Sequence, residues 1–218
     1  MSATTEGQPI SMADKAYQAI RDRLIMLDIP PMEPIDDAGL AEALDIGRTP
    51  VREALKRLEI DRLVVSYPRR GTFATAVDIT DLAYISDLRM HLEPLAARRA
   101  AEVAGNAEAE ELGNLADFLD DVDFHSLERD EVMRWDLHVH RAIYHAAGNP
   151  HLEDTLIRYD NLATRIFCVF LERMPDFDSH VMEHSALLRA ISAREPDKAE
   201  RLAREHVLNF DNAMRSLV

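Results

Sequence analysis

Apolar positions recur at helical spacing from near Ala13, where Ala16, Ile20, Leu24 and Met26 share one broad face. Pro30, Pro31 and Pro34 end that run. Asp36 or Asp37 is placed to cap a second, short helix carrying Leu40 and Leu44. Gly47 supplies a turn. Thr49 followed by Pro50 reads as the N-cap and first residue of a third helix that runs to about Asp61. Two β-type runs follow, Leu63 to Tyr67 and Thr72 to Ala76, with Pro68-Arg69-Arg70-Gly71 between them as a hairpin turn. Three helices and a β-hairpin predict a winged helix-turn-helix over residues 12–76.

Residues 77–80 read as a linker, with Thr80 placed to cap a long helix reaching about Ala104. Further helical blocks lie near Ala107–Ser126, Asp130–Ala147, Pro150–Leu171, Phe177–Ser192 and Pro196–Leu217. Gly105-Asn106, Gly148-Asn149-Pro150, Met174-Pro175 and Glu195-Pro196 separate them. The prediction for residues 81–218 is an all-α bundle, and the fold class is mostly α. Met1 to Ser11 is small and polar and reads as a disordered tail.

Composition fits this picture. An apolar fraction of 47% can supply a core, and 30% charged residues a solvated surface. The single cysteine, Cys168, leaves no disulfide within the chain and fits a reducing compartment. The first residues lack the basic start and apolar run of a signal peptide, and no apolar stretch approaches ~20 residues. A cytoplasmic location without membrane insertion is therefore expected.

Charge changes the picture more. The net charge is -15, which argues against a polyanion partner until its distribution is read. Residues 1–76 carry -2 and residues 77–218 carry -13. Between Gly47 and Gly71, seven basic residues face three acidic ones. A local basic patch on an acidic chain suits one specific polyanion site and limits indiscriminate binding.

On the third helix, Arg48, Arg52 and Lys56 recur every four residues and line one face. Val51, Ala54, Leu55 and Leu58 line the other and can pack on the first two helices. An arginine entering the major groove can bond O6 and N7 of guanine bidentately, and the start of a recognition helix reaches base edges first. Spacing alone leaves open a solvated amphipathic helix with ordinary surface arginines. However, Leu40-Ala41-Glu42 and the run Gly47-Arg48-Thr49-Pro50-Val51-Arg52-Glu53-Ala54-Leu55-Lys56-Arg57-Leu58-Glu59 resemble the signature of the GntR family of transcription factors. The resemblance implies operator contacts from Arg48, Thr49 and Arg52, with Gly71 in the wing. Lys56 on the same helix and Arg69 and Arg70 beside Gly71 complete the candidate DNA-binding set. The chain departs from the family pattern in three places. Pro31-Met32 replaces Pro-Gly, Arg62 replaces a glycine after the third helix, and Ala38 stands where some relatives carry a DNA-contacting arginine.

In the second region, Asp136 and His140 are four apart on one predicted helix and point the same way, an efficient start for a metal site. His138 is rotated about 200° from Asp136 at helical pitch and should face elsewhere. His184 and His206 stand inside core-like patterns and, taken singly, read equally as satisfied helix histidines. Asp136-Leu137-His138-Val139-His140, then Ala147-Gly148-Asn149-Pro150, then Glu183-His184 and His206, resemble the FCD domain of FadR-type regulators. In its metal-binding members one Asp and three His hold one divalent ion, which implies that role for Asp136, His140, His184 and His206. The branch that binds fatty acyl-CoA lacks this set. Zn is the leading expectation for the ion, with Ni, Fe and Mn also compatible with the donors.

Arg89 matches a family arginine that points into the pocket, where its planar fork could grip an effector carboxylate. A surface ion pair with Glu93, four residues on, is the alternative. Arg158 and Arg165 are weaker candidates. The expected protein is thus a homodimeric DNA-binding regulator, in repressor mode. It reads a palindromic operator and answers a small carboxylate or sugar acid at the metal site. Two rivals are a regulator that answers the metal alone and a metal-dependent hydrolase. The second is disfavoured because no HExxH pattern or nucleophile constellation accompanies the ligand set, and Glu183 should point off the ligand face.

Overall fold

A computed structural model describes residues 10–171 and 177–216. The chain divides into two compact units, Met1–Val77 and Asp78–Val218.

The first unit begins with α1 (Met12–Ile25). The expected tail falls mostly outside the described residues, but Ser11 has a structural task. Its side chain accepts from Asp14 N at 3.1 Å and donates to the Asp14 carboxylate at 2.6 Å. Ala16, Ile20, Leu24 and Ile25 are buried. Ile25, not Met26, completes that face, because the helix ends there and Met26 has left the repeat as its half-buried C-cap. Asp36 is the N-cap of α2 (Asp37–Ala43) and accepts from Ala38 N at 3.0 Å. Gly39 lies beneath this cap, where a Cβ would sit 2.6 Å from Asp36 Oδ2.

The third helix, α3 (Arg48–Ile60), is capped by Gly47 rather than Thr49. Pro50 is its third residue, not its first. Any first-turn N–H lacks an intrahelical partner, so proline fits there equally well. Val51, Ala54, Leu55 and Leu58 are buried, and α3 packs on α1. β1 (Val64–Tyr67) and β2 (Gly71–Ala74) form the hairpin, with Tyr67 opposite Gly71. Residues 32–35 add a third, strand-like edge. Ala74 N donates to Glu33 O at 2.9 Å and Ile35 N to Thr72 O at 2.8 Å. Prolines at 31 and 34 hid this pairing, yet the amides used belong to Met32 and Ile35 and the carbonyl to Glu33.

The second unit is all-α among its described residues. It comprises α4 (Asp81–Val103), α5 (Asn106–Asp121), a short 3-10 turn (Phe124–Ser126), α6 (Arg129–Ala146), α7 (Pro150–Phe170), α8 (Phe177–Ser192) and α9 (Pro196–Arg215). The block expected over Ala107–Ser126 splits because Val122 adopts an extended ψ of 134°, which turns Phe124 into the core. The break expected at Met174-Pro175 lies outside the described residues. Thr80 does not cap α4 with its side chain. Its N–H and hydroxyl both go to Asp78 Oδ1, at 2.9 and 2.7 Å. α4 packs against α6, α7, α8 and α9. Pro94 inside it removes the N–H that Met90 O would accept, and Arg204 Nη1 of α9 reaches that carbonyl at 3.4 Å. Among the described residues no helix is long and apolar enough to cross a membrane.

Candidate functional site

The first unit presents its candidate residues outward. Arg48, Thr49, Arg52 and Lys56 are exposed on one face of α3, and Arg69, Arg70 and Gly71 are exposed on the hairpin turn. Arg69 has φ +63° and Gly71 φ +97°. A Cβ on Gly71 would meet nothing within 4 Å, so backbone conformation rather than crowding favours glycine there. The basic residues are not alike. Arg57 lies over the Tyr17 ring at 4.2 Å and bonds Asp14 at 2.6 Å, which turns it toward α1. Arg48 Nη2 and Arg52 Nε both reach the Asp37 carboxylate, at 2.8 and 2.6 Å.

In the second unit, α6, α8 and α9 bring Asp136, His140, His184 and His206 together in the interior. Each offers one ligand atom, and these atoms lie within 4.8 Å of one another. His184 is fully buried, and the other three are 3–7% exposed. His138 is exposed and meets the Trp135 ring edge-on, away from this group.

Each imidazole is oriented through its Nδ1. For His140 the partner is the Tyr144 hydroxyl at 3.1 Å, for His184 the Val181 carbonyl at 3.2 Å, and for His206 the Glu183 carboxylate at 3.1 Å. Such partners fix the tautomer that leaves the Nε2 lone pair for a ligand bond. Nε2 of His184, Nε2 of His206 and Oδ1 of Asp136 are buried without a hydrogen-bond partner. Orphaned acceptors this deep are costly unless something binds them.

Electrostatics agree. Burial holds all three imidazoles well below the ordinary histidine range, in the neutral form that a metal requires. Burial, then the neighbouring Asp160, pushes the Asp136 carboxyl well up. Arg89 lies against the buried carboxylates of Glu93 and Asp160. A divalent cation would satisfy the unpartnered ligand atoms of Asp136, His184 and His206. Three neutral imidazoles and one carboxylate are a fitting donor set for it.

Arg89 is not on the surface. Its Nε bonds Glu93 Oε1 at 2.5 Å and its Nη2 lies 3.7 Å from Asp160, all three side chains being buried. Burial opposes its charge, but Glu93, Tyr144 and Asp160 more than offset that and keep it firmly protonated. The pair with Glu93 foreseen as a surface contact is therefore an interior one. Arg89 also borders a small cavity of about 10 Å³ with Met133, Asp136, Thr164, Phe167, His180 and Phe210. Arg165 is buried as well, which lowers its guanidinium to about 10.

Sequence reasoning missed His180 and the orienting roles of Tyr144 and Glu183. His180 stacks on His206 with ring centres 4.1 Å apart, and burial holds its pKa down at about 3. Its i,i+4 spacing from His184 on α8 was the available signal. Glu183 does point away from the ligand group, as its position beside His184 indicated, but it orients His206 from behind.

Comparison with known proteins places both units. Residues 12–74 match the family described as bacterial regulatory proteins, gntR family, and residues 84–209 match the FCD domain, more than half of the chain. The chain belongs to the GntR family of bacterial regulatory proteins.

Relatives of this GntR-family chain include an HTH-type transcriptional regulator in the TAR-I ttuE-ttuC' intergenic region of Agrobacterium vitis. It is 30% identical over 154 residues, covering 69% of this chain and 84% of that one. The HTH-type transcriptional repressor RspR of Escherichia coli is 21% identical over 211 residues, 96% of this chain and 91% of its own. The solved structure of E. coli McbR/YncC shares the fold, with a TM-score of 0.80, 20% identity and coverage of 95% and 99%. The protein is thus a transcriptional regulator with a winged helix-turn-helix and an FCD domain. Its relatives are regulators, not enzymes, so the hydrolase reading falls.

Proposed function

We propose that this GntR-family protein is a homodimeric repressor whose FCD domain holds a divalent metal ion and whose operator affinity falls when a small carboxylate or sugar acid binds beside that ion. The observation that carries the reading is the convergence of Asp136, His140, His184 and His206, three of which bury a ligand atom without a hydrogen-bond partner. These residues would hold the ion, with Zn first and Ni, Fe or Mn as alternatives. When bound, it would supply Lewis-acid affinity for an anionic oxygen.

Arg89 is the residue placed to receive the acid's carboxylate. It already serves Glu93, so an incoming carboxylate must compete with that side chain. The adjoining cavity has room for about one water molecule, not for an organic acid. Binding must therefore displace the side chains that close it. That displacement supplies the differential affinity for two domain shapes that a switch requires.

On the DNA side, Arg48, Thr49, Arg52 and Lys56 would enter the major groove while Arg69, Arg70 and Gly71 track the backbone beside it. Pairing of two chains would present two such heads to a palindrome. Support for pairing comes from α4, where Tyr84, Leu88 and Leu95 share one face and are 71, 41 and 45% exposed. The name of RspR, a repressor, supports the sign.

The cavity's size also favours a second reading, in which the metal alone is the signal. Calorimetric titration of the metal-loaded protein with a panel of hydroxy acids and sugar acids separates the two. Heat of binding at one site per chain, with loss of operator affinity, is expected. If no acid binds but metal changes operator affinity, the metal-only reading replaces it.

A further inference from the structure

Asp37 is the first residue of α2, one position after the cap. Both of its carboxylate oxygens are engaged by the recognition helix. Oδ1 receives Arg48 Nη2 at 2.8 Å and Oδ2 receives Arg52 Nε at 2.6 Å. Its side chain is 24% exposed while those of Arg48 and Arg52 are 56% and 60% exposed. The carboxylate thus sits behind two guanidinium groups that stand between it and solvent.

This arrangement has consequences for both arginines. Side by side on one helix face, two long cations would otherwise fan apart and sample many rotamers. A shared anion holds them together. Tying Arg52 through Nε leaves its two terminal nitrogens as a parallel pair of donors, a shape that matches O6 and N7 of guanine. The same anion weakens the attraction of both arginines for phosphates, which carry affinity but no sequence information. Asp36, not Asp37, supplies the cap of α2, so Asp37 is not needed for that task.

We infer that Asp37 is a positioning residue for DNA reading: it fixes Arg48 and Arg52 in one arrangement, raises discrimination between sequences, and holds down affinity for DNA of the wrong sequence. The inference rests on the reading of Arg48 and Arg52 as operator contacts.

The test uses the full chain and two fluorescent 24-bp duplexes. One is selected by the wild type from a randomised pool, and the other is its scrambled counterpart. Dissociation constants are measured on both for the wild type, Arg52→Ala, Asp37→Asn and Asp37→Glu. Arg52→Ala should bind the selected duplex at least about tenfold more weakly. Asp37→Asn keeps the size and an acceptor but not the charge. Its ratio of scrambled to selected dissociation constants should fall about tenfold, with tighter binding to the scrambled duplex. Asp37→Glu should keep most of the wild-type ratio. If Arg52→Ala binds as the wild type does, the reading of the arginine fails and takes this inference with it. If Arg52→Ala weakens binding while Asp37→Asn retains the wild-type ratio, or if Asn and Glu lower it alike, the role assigned to Asp37 is wrong and the arginine reading stands.

Discussion

Glu183 accepts a hydrogen bond from His206 Nδ1 at 3.1 Å, and Asn209 Nδ2 holds its other oxygen at 2.9 Å. One turn of α9 and one carboxylate of α8 thereby aim the His206 ring. Loss of such an orienting carboxylate typically weakens a metal site ~10–100-fold. Glu183→Ala should therefore release metal to a competing chelator at a lower chelator concentration by about that factor, with Glu183→Gln between it and the wild type. Equal retention in all three proteins would show that the contact does not support the site.

Much of this site was legible because helical pitch is regular. Asp136 and His140 share a face by spacing alone, and His138 leaves it for the same reason. Val51, Ala54, Leu55 and Leu58 likewise define the inner face of α3 by spacing alone. Other relationships join residues that no period connects. Glu183 and His206 meet across 23 positions, and Arg89 meets Asp160 across α4 and α7. Local pattern made Arg89–Glu93 a plausible pair, but its burial depends on four helices packing around α4. The strand-like edge at 32–35 was hidden because prolines there remove donors that the pairing does not use. Gly47 rather than Thr49 caps α3, and Pro50 gives the start only to within a turn because any first-turn position tolerates proline.

Met32 and Arg62 have φ of +66° and +62°. These are two of the positions where the GntR pattern that the sequence resembles usually has glycine. A non-glycine residue in this left-handed region costs about 1–2 kcal/mol, partly offset by the extra freedom glycine gives the unfolded chain. Met32→Gly and Arg62→Gly should each stabilise the first unit by up to about 1 kcal/mol, a rise of a few degrees in its calorimetric transition. Unchanged or lower transitions would mean that the Met32 and Arg62 side chains contribute more than their backbone strain removes.

Tyr17 donates to Asp61 at 2.7 Å, which ties α1 to the end of α3. Burial, then this hydrogen bond, raises the phenol to about 12. A group whose folded pKa lies above its unfolded value stabilises fully below the unfolded value, here about 10, and loses that contribution as pH rises toward 12. The denaturant midpoint of the first unit should fall across this window in the wild type and fall less in Tyr17→Phe. Parallel curves for the two proteins would remove Tyr17 from the alkaline transition.

The exposed face of α4 bears on assembly. Glutamates in place of Tyr84 and Leu88 would put two like charges per chain at a paired surface, where burial without a partner is costly. Sedimentation equilibrium should give twice the 24.7 kDa chain mass for the wild type and the chain mass for the double variant. A double variant that remains dimeric would place the interface elsewhere.

The claim that organises the second unit is that Asp136, His140, His184 and His206 hold one divalent ion. Elemental analysis by plasma mass spectrometry, on protein incubated with Zn and then desalted, reads it without reference to DNA or effector. One metal ion per wild-type chain is expected, and His184→Ala, folded by circular dichroism, should retain little or none. A wild type that takes up no metal, or a His184→Ala chain that keeps a full equivalent, would contradict the assignment.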